Sequence, residues 1–173
     1  MFYIVGLGNP GERYDETRHN AGRAAVTGLE CAGAKVFTPD TYMNKSGEAV
    51  KPFIKSAKQA EKLIVVHDDL DLPFGSFKIS FNKSSGGHKG VESIIKAVKT
   101  EGFVRVRVGI SPTTPSGKMK KPSGEKAVGD FILAPFKKDD SLVFKKVAKK
   151  VSEALEMIIS EGREKAMGAF NSQ

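Results

Sequence analysis

The 173-residue sequence has little of what indicates disulfides or membrane insertion. Its one cysteine, Cys31, cannot form a disulfide within the chain, which agrees with a reducing compartment. Long apolar runs are also absent. The opening stretch, Met1–Val5, lacks a basic leader and is too short for a signal peptide or a transmembrane helix. These absences predict a cytoplasmic protein without membrane attachment.

Several common catalytic and metal-binding motifs are missing as well. The three histidines and the single cysteine form no zinc pattern, and the sequence has neither an H-E-x-x-H motif nor a G-x-S-x-G nucleophile elbow. The chemistry that remains is that of a hydrolase that activates water with a histidine and an aspartate. Asparagine amides would then orient the substrate or an oxyanion.

The positive charge of the chain is regional. The formal net charge is +8, from 28 basic and 20 acidic residues. Residues 1–70 contain nine of each sign, so the whole excess lies in residues 71–173. Such a distribution indicates a polyanionic partner, either nucleic acid or acidic lipid, or else a lysine-rich surface that has no partner.

Apolar periodicity predicts one domain over residues 1–173, in which strands and amphipathic helices alternate. This order is typical of an α/β fold, here an α/β/α sandwich around a twisted mixed β-sheet. The predicted strands are Phe2–Val5, Leu63–Val66, Ser76–Ser80, Val104–Ile110 and Gly129–Leu133. The predicted helices are Ala21–Cys31 with Asn20 as N-cap, Gly47–Ala60, Val91–Lys99 and Asp139–Glu161.

Two basic segments follow in the second half. The polar stretch Ser111–Lys126 has Gly, Pro and Ser at helix-breaking positions and predicts a mobile basic loop. The last predicted helix has an apolar seam, and four of its lysines lie off that seam, where they either solvate the helix or extend a basic surface. The seam residues are Val143, Val147, Val151, Leu155 and Ile158, and the lysines are Lys145, Lys146, Lys149 and Lys150.

The glycines at residues 6–11 match the G-x-G-x-x-G fingerprint of a dinucleotide-binding turn. In that turn a helix begins at the glycines and directs its amides at the pyrophosphate. Here the helical pattern begins only near Asn20, and no ribose-binding acid ends a second strand, which argues against a nucleotide. The glycines instead predict a sharp turn at the carboxyl end of the first strand, which presents Asn9 and His19.

Carboxylates follow the buried strand Leu63–Val66 directly, in the segment His67-Asp68-Asp69-Leu70-Asp71. An aspartate at this point can orient a histidine and stabilise the imidazolium that forms when the histidine takes a proton. His67, Asp68 and Asp69 alternatively suit a hard cation such as Mg²⁺, which would make the protein a metal-dependent phosphoesterase.

The glycine-rich segment Ser84–Gly90 precedes a predicted helix, so its amides are candidates for binding a phosphate or a nucleic-acid strand. An ordinary turn is the alternative. Basic residues near this segment are suited to phosphate contacts that weaken with salt. They are Lys78, Lys83, Arg105 and Arg107.

Six motifs, taken in order, resemble bacterial-type peptidyl-tRNA hydrolase. They span nearly the whole chain, and the ending AMGAFN is similar to the tail of that family. Six ordered motifs are far more specific than any one of them. The motifs are GLGNPGERYDETRHNAG, TYMNKSGEAV, VVHDDLDLPFG, SSGGHKG, FVRVRVGI and VGDFILAPF.

The resemblance implies hydrolysis of the ester that joins a peptide to the 3′ ribose of tRNA, by a monomer that needs no metal or other cofactor. It implies that His19 is the general base that activates water and that Asp68 orients it. Asn9 and Asn44 would hold the peptide end and the attacked carbonyl.

The resemblance also assigns residues that bind the substrate. It implies that Tyr14 and Met43 line the cleft and that His88 and Lys89 belong to the substrate site. Lys78 and Arg107 match positions that contact tRNA phosphates in the family, which would account for the regional charge.

The sequence departs from the family pattern in two places. Lys89 stands where the family usually has asparagine, a feature that also fits an RNA-binding relative without catalysis. Between Leu29 and Thr38 the chain is much shorter than the family, with room for one short strand. Because Asn9 and the other catalytic candidates lie outside this shortened 29–38 segment, we expect an intact site on a trimmed sheet.

Overall fold

A mixed sheet of five strands forms the middle of the structure, a computed structural model that describes residues 1–172. The strands are β1 (Phe2–Gly6), β2 (Ala34–Phe37), β3 (Leu63–Pro73), β4 (Phe77–Phe81) and β5 (Val104–Ser111). They lie in the order β2-β1-β3-β5-β4. Neighbouring strands run parallel, except that β4 is antiparallel to β5.

Helices cover both faces of this sheet. Ile4, Val66 and Val106 belong to a core cluster with α1, α6 and α7 on one face, while Val5 and Val65 pack with α2 and α4 on the other. Two covered faces explain why the inner strands are apolar without a break. The predicted α/β/α sandwich is confirmed. The helices are α1 (Ala21–Val26), α2 (Ser46–Val50), α3 (Ala57–Ala60), α4 (Lys89–Val98), α5 (Glu125–Ile132), α6 (Asp140–Glu161) and α7 (Arg163–Phe170).

The lengths of β1 and β3 decide where polar side chains emerge. The register pairs Gly6, the last residue of β1, with Val66, but β3 continues for seven residues beyond that point. His67 and Asp68 therefore stand beside the loop that leaves β1, at the edge of the sheet where α/β proteins usually bind ligands.

The strand predicted over Gly129–Leu133 is wrong, because these residues belong to helix α5 and the turn after it. Val128, Phe131 and Ile132 are half-buried at a spacing of three and four residues, which is a helical period. The preceding strand β5 is already paired on both edges, with β3 and with β4.

The helix predicted over Gly47–Ala60 is interrupted after α2 and resumes only at α3. Pro52 lies in the gap, where it lacks an amide hydrogen and would collide with the preceding helical turn. Ser56 then caps α3 by accepting a hydrogen bond from the Gln59 amide at 3.2 Å.

The first helix is shorter than the predicted Ala21–Cys31. It ends at Val26, and Gly28 follows with a φ of 76°, a conformation that glycine adopts without strain. Residues 27–33 then lead directly into β2, which pairs with β1 as an edge strand. The shortened segment thus keeps the one short strand that was expected.

The basic loop after β5 folds back on itself. Thr113 and Met119 form an isolated β-bridge, and the amide of Lys120 donates to the carbonyl oxygen of Pro112 at 2.7 Å. Lys121 forms an ion pair with Asp71 on β3. The loop therefore contains a small hairpin tied to the sheet, and its mobility stays a prediction.

The long helix α6 buries four of its five predicted seam residues, whereas Val143 is 41% exposed near the amino-terminal end. Its four lysines are exposed. Within residues 1–172, no helix combines the length and the apolar character that crossing a membrane requires.

We predict that Gly22→Ala destabilises the protein by about 1 to 3 kcal/mol, the usual effect of overpacking. A Cβ at Gly22 would lie 2.1 Å from the carbonyl oxygen of Val66, so α1 would have to move away from β3. Urea unfolding measures the effect. Gly168→Ala, in α7 with open space around the added carbon, is the matched control and should be neutral or stabilising. Equal stability of the two variants would contradict the close α1–β3 contact.

Candidate active site

The loop between β1 and α1 carries His19 to the end of β3. Two short 3-10 turns, Glu12–Tyr14 and Arg18–Asn20, shape this loop. The segment that follows α5 holds it in place: the Arg18 amide donates to the carbonyl oxygen of Ala134 at 3.1 Å. The backbone next to His19 is thereby tied to the segment that follows α5.

His19 and Asp68 form a buried pair. The Nδ1 atom of His19 lies 2.9 Å from Oδ2 of Asp68, and the two residues are 8% and 3% exposed. A carboxylate only accepts hydrogen bonds, so Nδ1 carries the proton and donates it. The other ring nitrogen, Nε2, has no hydrogen-bond partner among the described residues, and it is free to act as a base.

The pair keeps the carboxylate charged and the imidazole basic. Burial would raise the pKa of Asp68, but the charges and hydrogen bonds of His19 and His88 outweigh burial and hold that pKa well below its usual range. Burial also opposes protonation of His19, yet the Asp68 carboxylate outweighs it and raises the pKa of His19. The net result is a histidine stabilised in the imidazolium form that proton abstraction produces.

His88 is the second histidine on the same carboxylate. Its Nε2 lies 2.7 Å from Oδ1 of Asp68, and its Nδ1 accepts from the amides of Gly90 and Val91 at 3.1 and 3.3 Å. These contacts make His88 the N-cap of α4. The expectation that the amides of the segment Ser84–Gly90 bind a phosphate is wrong for Gly90, because its amide donates to His88.

His67, the third histidine, is held neutral inside the protein. Burial, together with the charges of His88 and Arg105, lowers its pKa far below the ordinary value. Its Nδ1 bonds the backbone oxygen of Asp68 at 2.7 Å, while its buried Nε2 has no partner in the described part of the chain. The ring packs against His88, with centroids 4.7 Å apart.

Asn9 is fixed from three sides. Its side-chain oxygen accepts from the Met43 amide at 2.8 Å, and its own backbone amide and carbonyl both bond the side chain of Asn20, at 2.8 and 2.9 Å. Because Oδ1 is occupied, the free group of Asn9 is its Nδ2 amine, which donates. Gly8 makes this packing possible, since a Cβ there would lie 2.8 Å from the Asn20 side chain.

Asn20 is a site residue that sequence reasoning assigned another role. It occupies the predicted N-cap position of α1, but its side chain forms no cap hydrogen bond there and binds the backbone of Asn9 instead. It is only 1% exposed. The sequence signal for this role was the position of Asn20 directly after the candidate base, His19. A side-chain amide that is buried there requires hydrogen-bond partners across the loop.

Three further candidates lie in the loop after β1 and in the turn before α2. Met43 is 4% exposed beneath the short turn Met43–Lys45, and Asn44 is exposed in that turn with no side-chain hydrogen bond to any described residue. Tyr14 is half-buried and meets Tyr42 edge-on, with ring centroids 6.4 Å apart. Two tyrosines thus stand next to the asparagine turn.

The basic candidates lie on β4, on β5 and at the start of α4. Lys78 on β4 is exposed and opposite Arg107 on β5. Arg107 donates to Asp69, the neighbour of the paired aspartate, at 2.7 Å, and to the Ser80 hydroxyl at 3.1 Å. Lys89 is exposed as the first residue of α4.

The lysines of α6 do not join this basic group. Val106 and Val108 of β5 pack in the core cluster that includes α6, and side chains alternate along a strand, so Arg107 faces the layer of α4. The basic residues of β4 and β5 and those of α6 therefore lie in opposite layers of the sandwich.

The group His67, Asp68 and Asp69 does not converge on a metal site. His67 bonds a backbone oxygen and Asp69 bonds Arg107, so their ligand atoms are engaged apart from each other. His19, Asp68 and His88 do converge, with ligand atoms within 4.8 Å of one another. Both oxygens of Asp68, however, already accept hydrogen bonds from the two histidines.

The chemistry available at this edge of the sheet is the removal of a proton from water, and the charge beside it suits a nucleic acid. Together they define a class, the hydrolases that act on an RNA-linked substrate. The comparison with known sequences narrows the class: the chain belongs to the peptidyl-tRNA hydrolase family, whose sequence model matches residues 3–33 and 30–173.

Relatives are similar over their whole length. The peptidyl-tRNA hydrolase of Thermodesulfovibrio yellowstonii is 39% identical over 99% of both chains, and that of Aquifex aeolicus is 37% identical over 98% of this chain and 96% of the relative. The crystal structure of peptidyl-tRNA hydrolase from Acinetobacter baumannii superposes with a TM-score of 0.81 at 26% identity, covering 97% of this chain and 93% of that one.

The comparisons establish the activity of the chain as hydrolysis of peptidyl-tRNA. They give no support to the alternative of an RNA-binding relative without catalysis. The comparisons also locate the shortened part of the chain. The two segments that match the family model meet at residues 30–33. The alignment with the Thermodesulfovibrio yellowstonii relative spans 198 positions, more than the 173 residues of this chain.

We predict that Asp68→Asn lowers the pKa of His19 below the ordinary histidine value of about 6.5. The wild-type pKa is raised because Asp68 outweighs burial, and without the carboxylate burial acts unopposed. Titration of the His19 ring signals by NMR in both proteins measures the shift. A His19 pKa that is unchanged in the variant would contradict the pairing.

Proposed function

We propose that His19 is the general base of peptidyl-tRNA hydrolysis and that Asp68 is its orienting partner. His19 Nε2 takes a proton from a water molecule as that water attacks the ester carbonyl, and the Asp68 carboxylate stabilises the imidazolium. The observation that carries the proposal is the buried 2.9 Å contact between Nδ1 and the carboxylate, which leaves Nε2 as the free base.

The electrostatics support a pH dependence with a definite sign. A general base must be neutral to accept a proton, and the pKa of His19 is raised. Activity is therefore expected to fall as the pH falls through that raised value, so that the acid limb of kcat/KM lies above the ordinary histidine pKa of about 6.5.

Asn9 and Asn44 are proposed to hold the reacting carbonyl and the peptide end. The Oδ1 atom of Asn9 already accepts from Met43, so Nδ2 offers hydrogen atoms to an oxygen that becomes negative during attack. Asn44, in the adjacent turn, presents a side-chain amide that has no hydrogen-bond partner within residues 1–172. Tyr14 and Met43 are proposed to form the wall against the peptide.

Lys78 and Arg107 are proposed to bind tRNA phosphates, and Lys89 to add charge near the terminal ribose. Lys78 is exposed and lies opposite Arg107 in the β4–β5 register. Arg107 in turn donates to Asp69, which follows the proposed catalytic Asp68 on β3. A phosphate held there would lie close to the ester under attack.

The reaction is proposed to need no metal. The ligand atoms of His19, Asp68 and His88 are close enough for an ion, but they are used in hydrogen bonds with one another. A chelator should leave the rate unchanged.

The chain is proposed to act as a monomer and a single domain in the cytoplasm. Translation supplies peptidyl-tRNA there, and all the proposed catalytic residues come from one chain. Analytical ultracentrifugation tests the oligomeric state.

We predict that His19→Ala reduces single-turnover hydrolysis of N-acetylaminoacyl-tRNA by about 10²-fold or more, because general-base catalysis contributes on this order. Both proteins are assayed with a chelator present. Retention of activity in the variant would remove His19 from its role, and loss of wild-type activity with the chelator would show that a metal takes part.

We predict that Lys78→Gln weakens binding of deacylated tRNA and lowers the slope of log K against log salt by about 1, as expected for the loss of one phosphate contact. The measurement is fluorescence anisotropy from low to moderate salt. Lys58→Gln, on the exposed side of α3, is the control and should leave the slope unchanged. Equal slopes for wild type and Lys78→Gln would exclude the contact.

A further inference from the structure

Both ring nitrogens of His88 are used inside the protein. Nδ1 accepts from the amides of Gly90 and Val91, the second and third residues of α4, and Nε2 lies 2.7 Å from Asp68 Oδ1. A histidine in this state has no ring nitrogen left for a substrate. Its contacts instead join the first turn of a helix to the proposed catalytic carboxylate.

The contacts also select one tautomer of His88. Backbone amides only donate, so the Nδ1 that receives them must hold a lone pair. The ring hydrogen is then on Nε2, and it points at the carboxylate. The N-cap hydrogen bonds of α4 therefore determine that Nε2 is the nitrogen of His88 that donates to Asp68.

The ring has little freedom to leave this position. It lies between His67 and His19, with ring centroids 4.7 and 5.2 Å away. A Cβ at position 90 would be 3.1 Å from the His88 ring, so the glycine there allows the close fit of the helix against it.

We propose that His88 is a positioning residue that acts through Asp68. By holding Oδ1, it fixes the rotation of the carboxylate so that Oδ2 meets Nδ1 of His19. Loss of this donor leaves a buried carboxylate oxygen without its partner, and the carboxylate is then free to turn away from His19. The proposal rests on the functions proposed above for His19 and Asp68.

Two substitutions separate the two contacts of His88. Asparagine places an acceptor near the position of Nδ1 and is among the best N-cap residues, but it is too short to reach Asp68. Glutamine places an amide near the position of Nε2 and can donate to Asp68, but glutamine is not among the favoured N-cap residues.

The experiment measures Tm, kcat and KM on N-acetylaminoacyl-tRNA for wild type, His88→Asn and His88→Gln. We expect His88→Asn to keep the wild-type KM while kcat falls about tenfold or more, the effect of losing a hydrogen bond to a charged group. We expect His88→Gln to have a lower Tm and at least about ten times the kcat of His88→Asn.

A matched control separates helix stability from catalysis. Lys96→Gly lies in the exposed interior of α4 and weakens the helix without touching Asp68. Its Tm should fall while kcat and KM stay at wild-type values. A fall of kcat in this control would overturn the proposal, because helix stability alone would then explain the effect of His88.

The pH profile supplies a readout that a purely structural role would not move. The titratable groups around the pair are His19, Asp68, His88 and His67, with Arg105 beyond them. When Asp68 loses the His88 donor and turns away from His19, burial of His19 is less opposed and the pKa of His19 falls. The acid limb of kcat/KM should shift to lower pH in His88→Asn and less in His88→Gln.

The other outcomes overturn the proposal in distinct ways. If His88→Asn keeps wild-type kcat, His88 is only a helix cap. If both variants raise KM and leave kcat unchanged, His88 contacts the substrate, as the family resemblance implies. His19→Ala is assayed in parallel, so that an active His19→Ala would remove the proposed mechanism itself, independently of the result at His88.

Discussion

The structure depends on one buried carboxylate. Asp68 lies almost out of contact with water, where an unpaired charge would be very unfavourable, and it stays ionised because two histidines donate to its two oxygens. His19 comes from the loop after β1 and His88 from the turn before α4. Three separate parts of the chain therefore meet at Asp68, and the contact that satisfies one of its oxygens leaves Nε2 of His19 without a hydrogen-bond partner among the described residues.

A second layer of contacts keeps these parts in register. Asn20 holds the backbone of Asn9, and Asn9 holds the amide of Met43, so the loop after β1 and the turn before α2 form one surface. The shortened segment lies elsewhere, at the edge strand β2, and touches none of these contacts. Shortening at this edge of the sheet therefore does not involve the hydrogen bonds among Asn9, Asn20 and Met43.

Much of the fold could be predicted from the periodicity of apolar residues in the sequence. The strands that form the inner sheet and the buried seam of α6 appear as apolar patterns, because both faces of the sheet are covered. The errors came where local patterns are ambiguous. Gly129–Leu133 is rich in residues that suit a strand but packs as α5, and Pro52 interrupts a helix whose apolar positions continue past it. The His19 and Asp68 candidates followed from ordered motifs, whereas the internal use of Asn20 and His88 did not.

The sequence by itself determined the fold class, the family and the residue types available for catalysis, since apolar period and motif order are properties of the chain. Only the tertiary structure decided how those residues pair. The sequence alone does not distinguish the three histidines, His19, His67 and His88. The register of β1 with β3 and the position of α4 give each of them a different neighbour. The electrostatic field and the burial at each ring then make one histidine neutral, one a helix cap and one the proposed base. Hydrogen bonding and desolvation depend on distances that sequence separation does not contain.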